Sequence, residues 1–161
     1  MTRLPLAAVL IALALPAHAD DLVTVIERKV LDELWLSPGM QSWHYEGDEG
    51  FNNNNYGFGA EYRYTTVTSV TVGRFYNSER HWSNFIGAFY QPWAIGPVRL
   101  GVVMGAFDGY PNMRNGNWFP AVIPMASYEY GRVGLNVVVI PTYRDKLHGA
   151  IAFQLKLKVF D

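Results

Sequence analysis

Short segments in which apolar and polar side chains alternate dominate the chain after residue 40. From Tyr56 to Tyr64, the even-numbered residues are aromatic or alanine, and the odd-numbered ones are glycine or charged. From Gly149 to Val159 the pattern recurs, with Lys156 among the intervening residues. A period of two residues is typical of strands with two different faces. Each segment has about the 9–11 residues that a tilted strand needs to cross a bilayer.

Eight such segments are present, and the connections between them alternate in length. Three connections are short, near residues 65, 94–96 and 131, whereas 46–54, 77–82, 108–117 and 142–147 are long and polar. This rhythm is typical of transmembrane barrels. We therefore predict an all-β fold over residues 40–161, an eight-stranded antiparallel transmembrane β-barrel whose long loops all lie on the outer side. The predicted strands are Met40–Glu46, Asn55–Tyr64, Thr66–Tyr76, Ser83–Trp93, Pro97–Phe107, Trp118–Tyr130, Arg132–Pro141 and His148–Phe160.

The segment from 20 to 39 has a different period. Leu22, Ile26, Val30 and Leu34 recur every four residues, and charged residues occupy the other side. This spacing predicts an amphipathic helix from 20 to 36, followed by a linker. The helix either plugs the barrel mouth or lies in the inner leaflet of the outer membrane with Trp35 at the boundary; we favour the second position.

Residues 1–19 have the features of a secretory signal peptide. Arg3 precedes an apolar run from Leu4 to Leu15, and Ala17-His18-Ala19 is a small-x-small cleavage pattern. The run is too short to cross a bilayer as a mature helix. Export together with a transmembrane barrel predicts a location in the cell outer membrane.

Composition removes several classes of function. The net charge of −1 provides no basic field for nucleic acid, and the absence of cysteine excludes a disulfide scaffold and a thiolate metal site. No cofactor and no metal site is predicted, and we expect a monomer. An eight-stranded barrel is too narrow for a channel, so function is expected at the mouth, in the interior or on the surface.

Polar groups converge at the predicted outer rim. His44 lies at the outer end of the first strand, and Asn77 and Ser78 lie at the outer end of the third. A histidine beside a serine hydroxyl is the minimum for acyl transfer assisted by a general base. His81 and Ser83 form an alternative pair, which would fit a hydrolase. Each of these residues could instead be an ordinary rim residue.

Prolines occupy unusual positions in the predicted wall. Pro120 and Pro124 fall within the sixth strand, and Pro141 ends the seventh, roughly opposite Pro120. Proline donates no hydrogen bond to a ladder, and a closed barrel has no edge to accommodate it. The wall is therefore expected to contain an unbonded slot through which a lipid chain enters, or the sixth strand stops early.

At these residues the chain resembles the lipid A palmitoyltransferases of the outer membrane. The likeness is closest from residue 96 to 160, where it rests on Gly116-Asn117-Trp118-Phe119-Pro120, Ile123-Pro124-Met125-Ala126-Ser127 and Val139-Ile140-Pro141-Thr142-Tyr143. In the first half of the chain it rests on Ser42-Trp43-His44.

The resemblance implies transfer of a palmitoyl chain from a phospholipid to lipid A. It makes His44 the general base, Ser78 a second polar catalytic group and Asn77 an orienting or oxyanion-stabilising amide, in a position where the family has aspartate. The interior would hold the acyl chain, with room provided by Gly57, Gly59, Gly101 and Gly105, although any tight barrel needs small inward-facing residues. A lipid-binding or surface-interaction barrel without enzymatic activity and a lipid A deacylase-like hydrolase are the alternatives.

Overall fold

A computed structural model describes residues 22–46, 50–144 and 146–161. The predicted signal peptide lies outside the described residues. Nearly all of the described chain is β-structure: β1 (Thr24–Val25), β2 (Val30–His44), β3 (Asn54–Thr65), β4 (Thr68–Tyr76), β5 (Trp82–Ile95), β6 (Val98–Phe107), β7 (Phe119–Tyr130), β8 (Val133–Ile140) and β9 (Ala150–Phe160).

Strands β2 to β9 form a closed antiparallel barrel. Each strand pairs with the next along the chain, and β9 pairs back with β2. The short strand β1 pairs with the end of β5 beyond the reach of β4. The predicted eight-stranded barrel is therefore confirmed, with most strand boundaries within two residues of the prediction.

The two ends of the barrel differ as the sequence predicts. Two-residue turns join β3 to β4, β5 to β6 and β7 to β8, and we call this side the turn end. The four longer connections, 45–53, 77–81, 108–118 and 141–149, gather at the opposite side, which we call the loop end. Among the described residues the long loops contain only a single 3₁₀ turn at Arg114–Gly116 as regular structure.

The predicted N-terminal helix is wrong for residues 22–36, which instead contain β1 and the first half of β2. Positions four residues apart share a face in a strand as well as in a helix, and the apolar residues between them, such as Trp35, complete the resemblance to a helix. Val30 is exposed on the outer surface, whereas Trp35, which we expected at the membrane boundary, is buried inside the barrel. The barrel accordingly begins at Val30 rather than at Met40.

A glycine bulge explains why Ser37-Pro38-Gly39 resembles the end of an element. Gly39 has φ +108°, and a Cβ there would lie 2.4 Å from the carbonyl oxygen of Asn55. The register of β2 against β3 shifts between Ser37 and Gly39. Glu33 and Trp35 face inward before the bulge, whereas His44 and the other even-numbered residues face inward after it. One long strand thus changes the phase of its alternation at Gly39.

The outer surface is an apolar band with aromatic residues at both margins. On β3, Tyr56 marks the loop end and Tyr64 the turn end, and both are exposed. Eight residues at about 3.3 Å each and a tilt of about 40° give a band about 20 Å tall. This height and this pattern of exposed residues are typical of a barrel in contact with lipid. No helix among the described residues is long and apolar enough to cross a membrane.

Charged side chains fill the interior at the turn end, in a group that we call the ion cluster. Lys156 Nζ lies 2.8 Å from Glu61 and 2.9 Å from Glu129, and Arg63 also contacts both carboxylates. The Trp35 ring packs beneath these cations, 4.7 Å from Lys156 Nζ. Buried charges are tolerated only when paired in this manner. The members of the cluster are Glu33, Glu61, Arg63, Arg99, Glu129, Lys156 and Lys158.

We expect the protein to behave as a membrane barrel in solution. In detergent it should show β-rich circular dichroism, and its mobility on gels should change on heating, because the closed ladder unfolds only cooperatively. A mature chain that stays soluble and monomeric without detergent would contradict the apolar band described above.

Removing one charged side chain from the ion cluster should destabilise the barrel strongly. Lys156→Met leaves the buried Glu61 carboxylate without its closest cation, which should cost roughly 3–5 kcal/mol of unfolding free energy. Urea unfolding in micelles measures this loss. Adding Glu61→Gln should recover part of the stability, and Arg132→Gln, which breaks an exposed pair with Asp161, is the matched control with a small effect.

Candidate functional site

The loop-end half of the interior is an apolar cavity. Its volume is about 110 Å³, which is several times the cavity volume that one water molecule needs. Five phenylalanines line it, together with aliphatic side chains mainly from β6 to β9, and its polar groups lie mainly at the two ends. The apolar lining residues are Met40, Phe75, Phe85, Phe89, Val103, Phe107, Phe119, Ala121, Ile123, Met125, Val138, Ile140, Leu147 and Ala152.

A row of hydrogen-bonded amides and a hydroxyl separates this cavity from the ion cluster. Gln91 Nε2 donates to Ser127 Oγ at 2.8 Å, the hydroxyl donates to Asn136 Oδ1 at 2.8 Å, and Asn136 Nδ2 donates to Gln154 Oε1 at 3.1 Å. Asn136 and Gln154 form part of the cavity floor. The interior is therefore closed towards the turn end, and the cavity lies on the loop side of this floor.

The barrel wall is interrupted beside the cavity. The ladder between β7 and β8 runs from Tyr130↔Val133 to Met125↔Val138 and ends there. Beyond that point β7 pairs only with β6, and the last residues of β8 pair only with β9. The predicted interruption is confirmed. It begins at Pro124 and includes Pro120, two positions without an N–H, and Pro141 follows β8 across the gap.

His44 lies on the cavity wall at the last residue of β2, where it is buried. The bulge at Gly39 is what turns it inward. Its Nδ1 is 2.8 Å from Asn53 Oδ1, and its ring lies 4.8 Å from that of Phe51. When Nδ1 carries the proton and donates to the amide oxygen, Nε2 holds the lone pair.

Ser78 also lines the cavity, from the loop that follows β4. The phenol of Tyr110, from the loop between β6 and β7, lines the same cavity and interacts with the Ser78 side chain. Burial, with the Glu79 carboxylate nearby, raises the pKa of the Tyr110 phenol, which keeps its proton and remains a donor. His44 and Ser78 thus share one cavity, although among the described residues they form no hydrogen bond with each other.

Asn77 belongs to the loop rather than to the cavity wall. It is fully buried, and its Nδ2 donates to Ser83 Oγ at 2.9 Å and to the Gly109 carbonyl at 2.8 Å. Its Oδ1 accepts from the backbone N–H groups of Glu79 and His81. The side chain holds two loops together and directs no donor towards His44 or Ser78.

The alternative pair of His81 and Ser83 is not brought together. His81 lies in an exposed loop, where Nδ1 is 2.7 Å from the Glu79 carbonyl. Ser83 is fully buried and donates to the Asp108 carbonyl at 2.6 Å. Because β5 begins only at Trp82, the two residues do not share a strand face as we expected.

The four glycines expected to make room for an acyl chain do not line the cavity. Gly57 and Gly101 allow close approach of neighbouring backbone: a Cβ would lie 2.1 Å from the Arg74 carbonyl oxygen and 1.9 Å from that of Tyr90, respectively. Gly59 accommodates the Phe85 ring, and Gly105 faces the backbone of β5. These residues shape the wall of a tight barrel.

The structure adds mouth residues that the sequence did not single out. The ring of Phe51 lies between those of His44 and His148, with centroid distances of 4.8 and 4.3 Å. His148 Nδ1 is 2.8 Å from Glu46 Oε2. The predicted start of the last strand at His148 was the available signal, because a closed barrel pairs that strand with the first one, whose outer end carries His44.

No set of three or more potential metal-ligating side chains is grouped within the described ranges. The groups at the loop end that could take part in proton transfer are the His44 imidazole, the hydroxyls of Ser78 and Tyr110, and His148 with Glu46.

Comparison with known proteins supports the fold and gives no information about an activity. No protein family matches the chain, and no curated protein is significantly similar to it. Among solved structures it is similar to the de novo designed TMB2.3, a designed transmembrane β-barrel solved by solution NMR. The similarity has a TM-score of 0.51 and 17% sequence identity, and it covers 83% of this chain and 97% of the designed one. In architecture, the chain is an eight-stranded barrel of the transmembrane type.

Proposed function

We propose that this protein is an acyltransferase of the outer membrane that transfers a palmitoyl-type chain from a phospholipid to lipid A. The observation that carries the proposal is a narrow apolar cavity with His44 on its wall, closed below by amides and flanked by the interrupted β7–β8 ladder. A cavity with an apolar lining and few polar groups is typical of a ligand site.

The interruption at Pro120 and Pro124 supports lateral access for the acyl chain. It lies in the loop-end half of the wall, at the level of the cavity-lining Ala121 and Ile123. A lipid chain in the surrounding leaflet could pass there without breaking a backbone hydrogen bond. The gap in the β2–β9 ladder, between Leu36↔Leu157 and Gln41↔Phe153, is closed by paired residues on both sides, whereas this seam stays open to the loop end, which makes it the favoured route.

His44 would act as the general base. In the proposed step, Nε2 takes the proton from an acceptor hydroxyl of lipid A, and that oxygen forms a bond to the ester carbonyl carbon of the phospholipid. The carbonyl oxygen becomes an oxyanion, the bond to the glycerol oxygen then breaks, and the imidazolium returns its proton to the departing lysophospholipid. No cofactor is needed, because the donor is an oxygen ester and the acceptor is a hydroxyl, so one ester is exchanged for another without any change of oxidation state.

Ser78 and Tyr110 supply the donors that this step needs. The Ser78 hydroxyl and the protonated Tyr110 phenol can each donate to the oxyanion, in a site from which apolar walls exclude water. Asn53 holds the His44 ring in the orientation that leaves Nε2 free. Asn77, in contrast, is proposed only as the residue that fixes the loop carrying Ser78.

Lipid binding without turnover is the second candidate function. The specific observation in its favour is that the His44 ring is hydrogen-bonded to Asn53, and that Ser78 lines the same cavity without a hydrogen bond to His44. The cavity and seam would serve a lipid-binding barrel equally well. A hydrolase centred on His81 and Ser83 has no such support, because Ser83 is enclosed.

Removing either polar wall residue should abolish lipid A acylation. Mass spectrometry of lipid A from cells expressing the protein should show an added acyl chain, and His44→Ala and Ser78→Ala should each reduce that product at least about 100-fold. His81→Ala is the matched control and should be nearly silent. Heat-modifiability of each variant confirms folding.

Three outcomes separate the candidates. An added chain that persists in both variants would refute the proposed site. Lipid A that never changes, together with co-purified phospholipid, would favour lipid binding, and the loss of a chain would indicate a hydrolase.

Asn77→Asp should lower the stability of the protein rather than raise its transfer activity. The carboxylate would replace an N–H donor with an oxygen facing the Gly109 carbonyl, so we expect a loss of about 1–3 kcal/mol in unfolding free energy, similar to that for Asn77→Ala. Urea unfolding and an acyl-transfer assay in matched detergent test this. A higher transfer rate with unchanged stability would show instead that the carboxylate acts on the catalytic groups, as the family resemblance implies.

A further inference from the structure

A positively charged side chain faces outward from the apolar wall. Arg74 lies on β4 and is exposed, two residues nearer to the middle of the band than Tyr76. Its neighbours across the two ladders are Phe58 on β3 and Asn84 on β5. An arginine on the lipid-facing side of a barrel is unfavourable unless an anion or water reaches it.

The guanidinium has one partner among the described residues, the ring of Trp82. The Arg74 Cζ atom lies 4.7 Å from the ring centroid, and no hydrogen bond or ion pair to the described part of the chain accompanies this contact. The carboxylate of Asp108 is bound by the neighbouring Asn84, at 2.9 Å from Nδ2. Stacking on a ring uses one face of the guanidinium and leaves its N–H edges available.

An aromatic group places this charge at the boundary of the membrane. The rings of Tyr56 and Tyr76 lie 5.3 Å apart, and each lies within 5.7 Å of Trp82. Tyrosine and tryptophan concentrate where hydrocarbon meets headgroups. Towards the middle of the band the next row is apolar, with exposed Val72 and Ile86. Arg74 therefore lies at the depth where lipid phosphates are found.

We propose that this patch binds the phosphate group of a membrane lipid. The patch consists of Phe58, Arg74 and Asn84 together with the aromatic group of Tyr56, Tyr76 and Trp82. The fork of the Arg74 guanidinium takes two phosphate oxygens, and the indole and phenols border the headgroup. Val72 and Ile86 contact the first part of the acyl chains. The occupant is a phosphorylated lipid, because only a lipid places a phosphate beside this apolar wall.

This patch is separate from the proposed acyl site. It spans β3 to β5, whereas the interrupted seam lies between β7 and β8, on the far side of the closed ring. Its side chains face outward, and His44 faces inward. The inference therefore stands whether or not the cavity supports acyl transfer.

Native mass spectrometry of the folded protein in detergent micelles tests the patch. We expect the wild type to retain one phosphatidylglycerol molecule with higher affinity than diacylglycerol with the same chains. Arg74→Gln should weaken phosphatidylglycerol binding about tenfold or more, and Arg74→Lys should weaken it less, because it keeps the charge but not the fork. Arg28→Gln, an equal charge change at the exposed turn end, should have no effect.

Each contrary result overturns the inference. Equal binding of diacylglycerol would show that the patch recognises apolar chains alone. Inorganic phosphate that displaces the lipid at similar concentration would show an ion site rather than a lipid site. Retention of the lipid by Arg74→Gln, with unchanged heat-modifiability, would place the bound lipid elsewhere.

Discussion

The pairing of buried charges at the turn end is the interaction on which the rest of this barrel depends. A closed ring of eight strands encloses a narrow interior, and seven charged side chains occupy one half of it. They come from β2, β3, β6, β7 and β9, and Gly134 on β8 leaves the space that Lys156 requires. Because each charge has at least one partner on another strand, the cluster connects distant strands of the wall.

The apolar cavity is a consequence of that arrangement. With the charged side chains of the ion cluster confined to the turn end, the loop-end half can be lined mainly by phenylalanine and aliphatic residues. A histidine placed there works in a medium of low dielectric constant, where a hydrogen bond to Asn53 orients it more effectively than in water. Closure below also means that any substrate arrives through the mouth or through the seam at Pro124.

The sequence predicts this fold wherever the two faces of a strand differ in one consistent way. In β3 and β9 the outward residues are apolar and the inward ones polar or small, so both strands were located within two residues. In β2, apolar residues lie on both faces and the phase changes midway, which imitates a helix. Turn lengths predicted the topology, and topology in turn placed His44 and Ser78 at one rim. The loop contacts of Asn77, Tyr110 and Phe51 depend on backbone paths that no period in the sequence encodes.

Because of the bulge at Gly39, the two halves of β2 differ in which residues face the barrel interior. The inward-facing residues before the bulge contact the ion cluster, and those after it line the cavity, because the change of phase lies where the two halves of the interior meet. The chain can therefore alter its binding chemistry beyond Gly39 without disturbing the positions of Glu33 and Trp35. A single glycine thus separates the part of β2 that stabilises the barrel from the part in which substitutions can change the binding site.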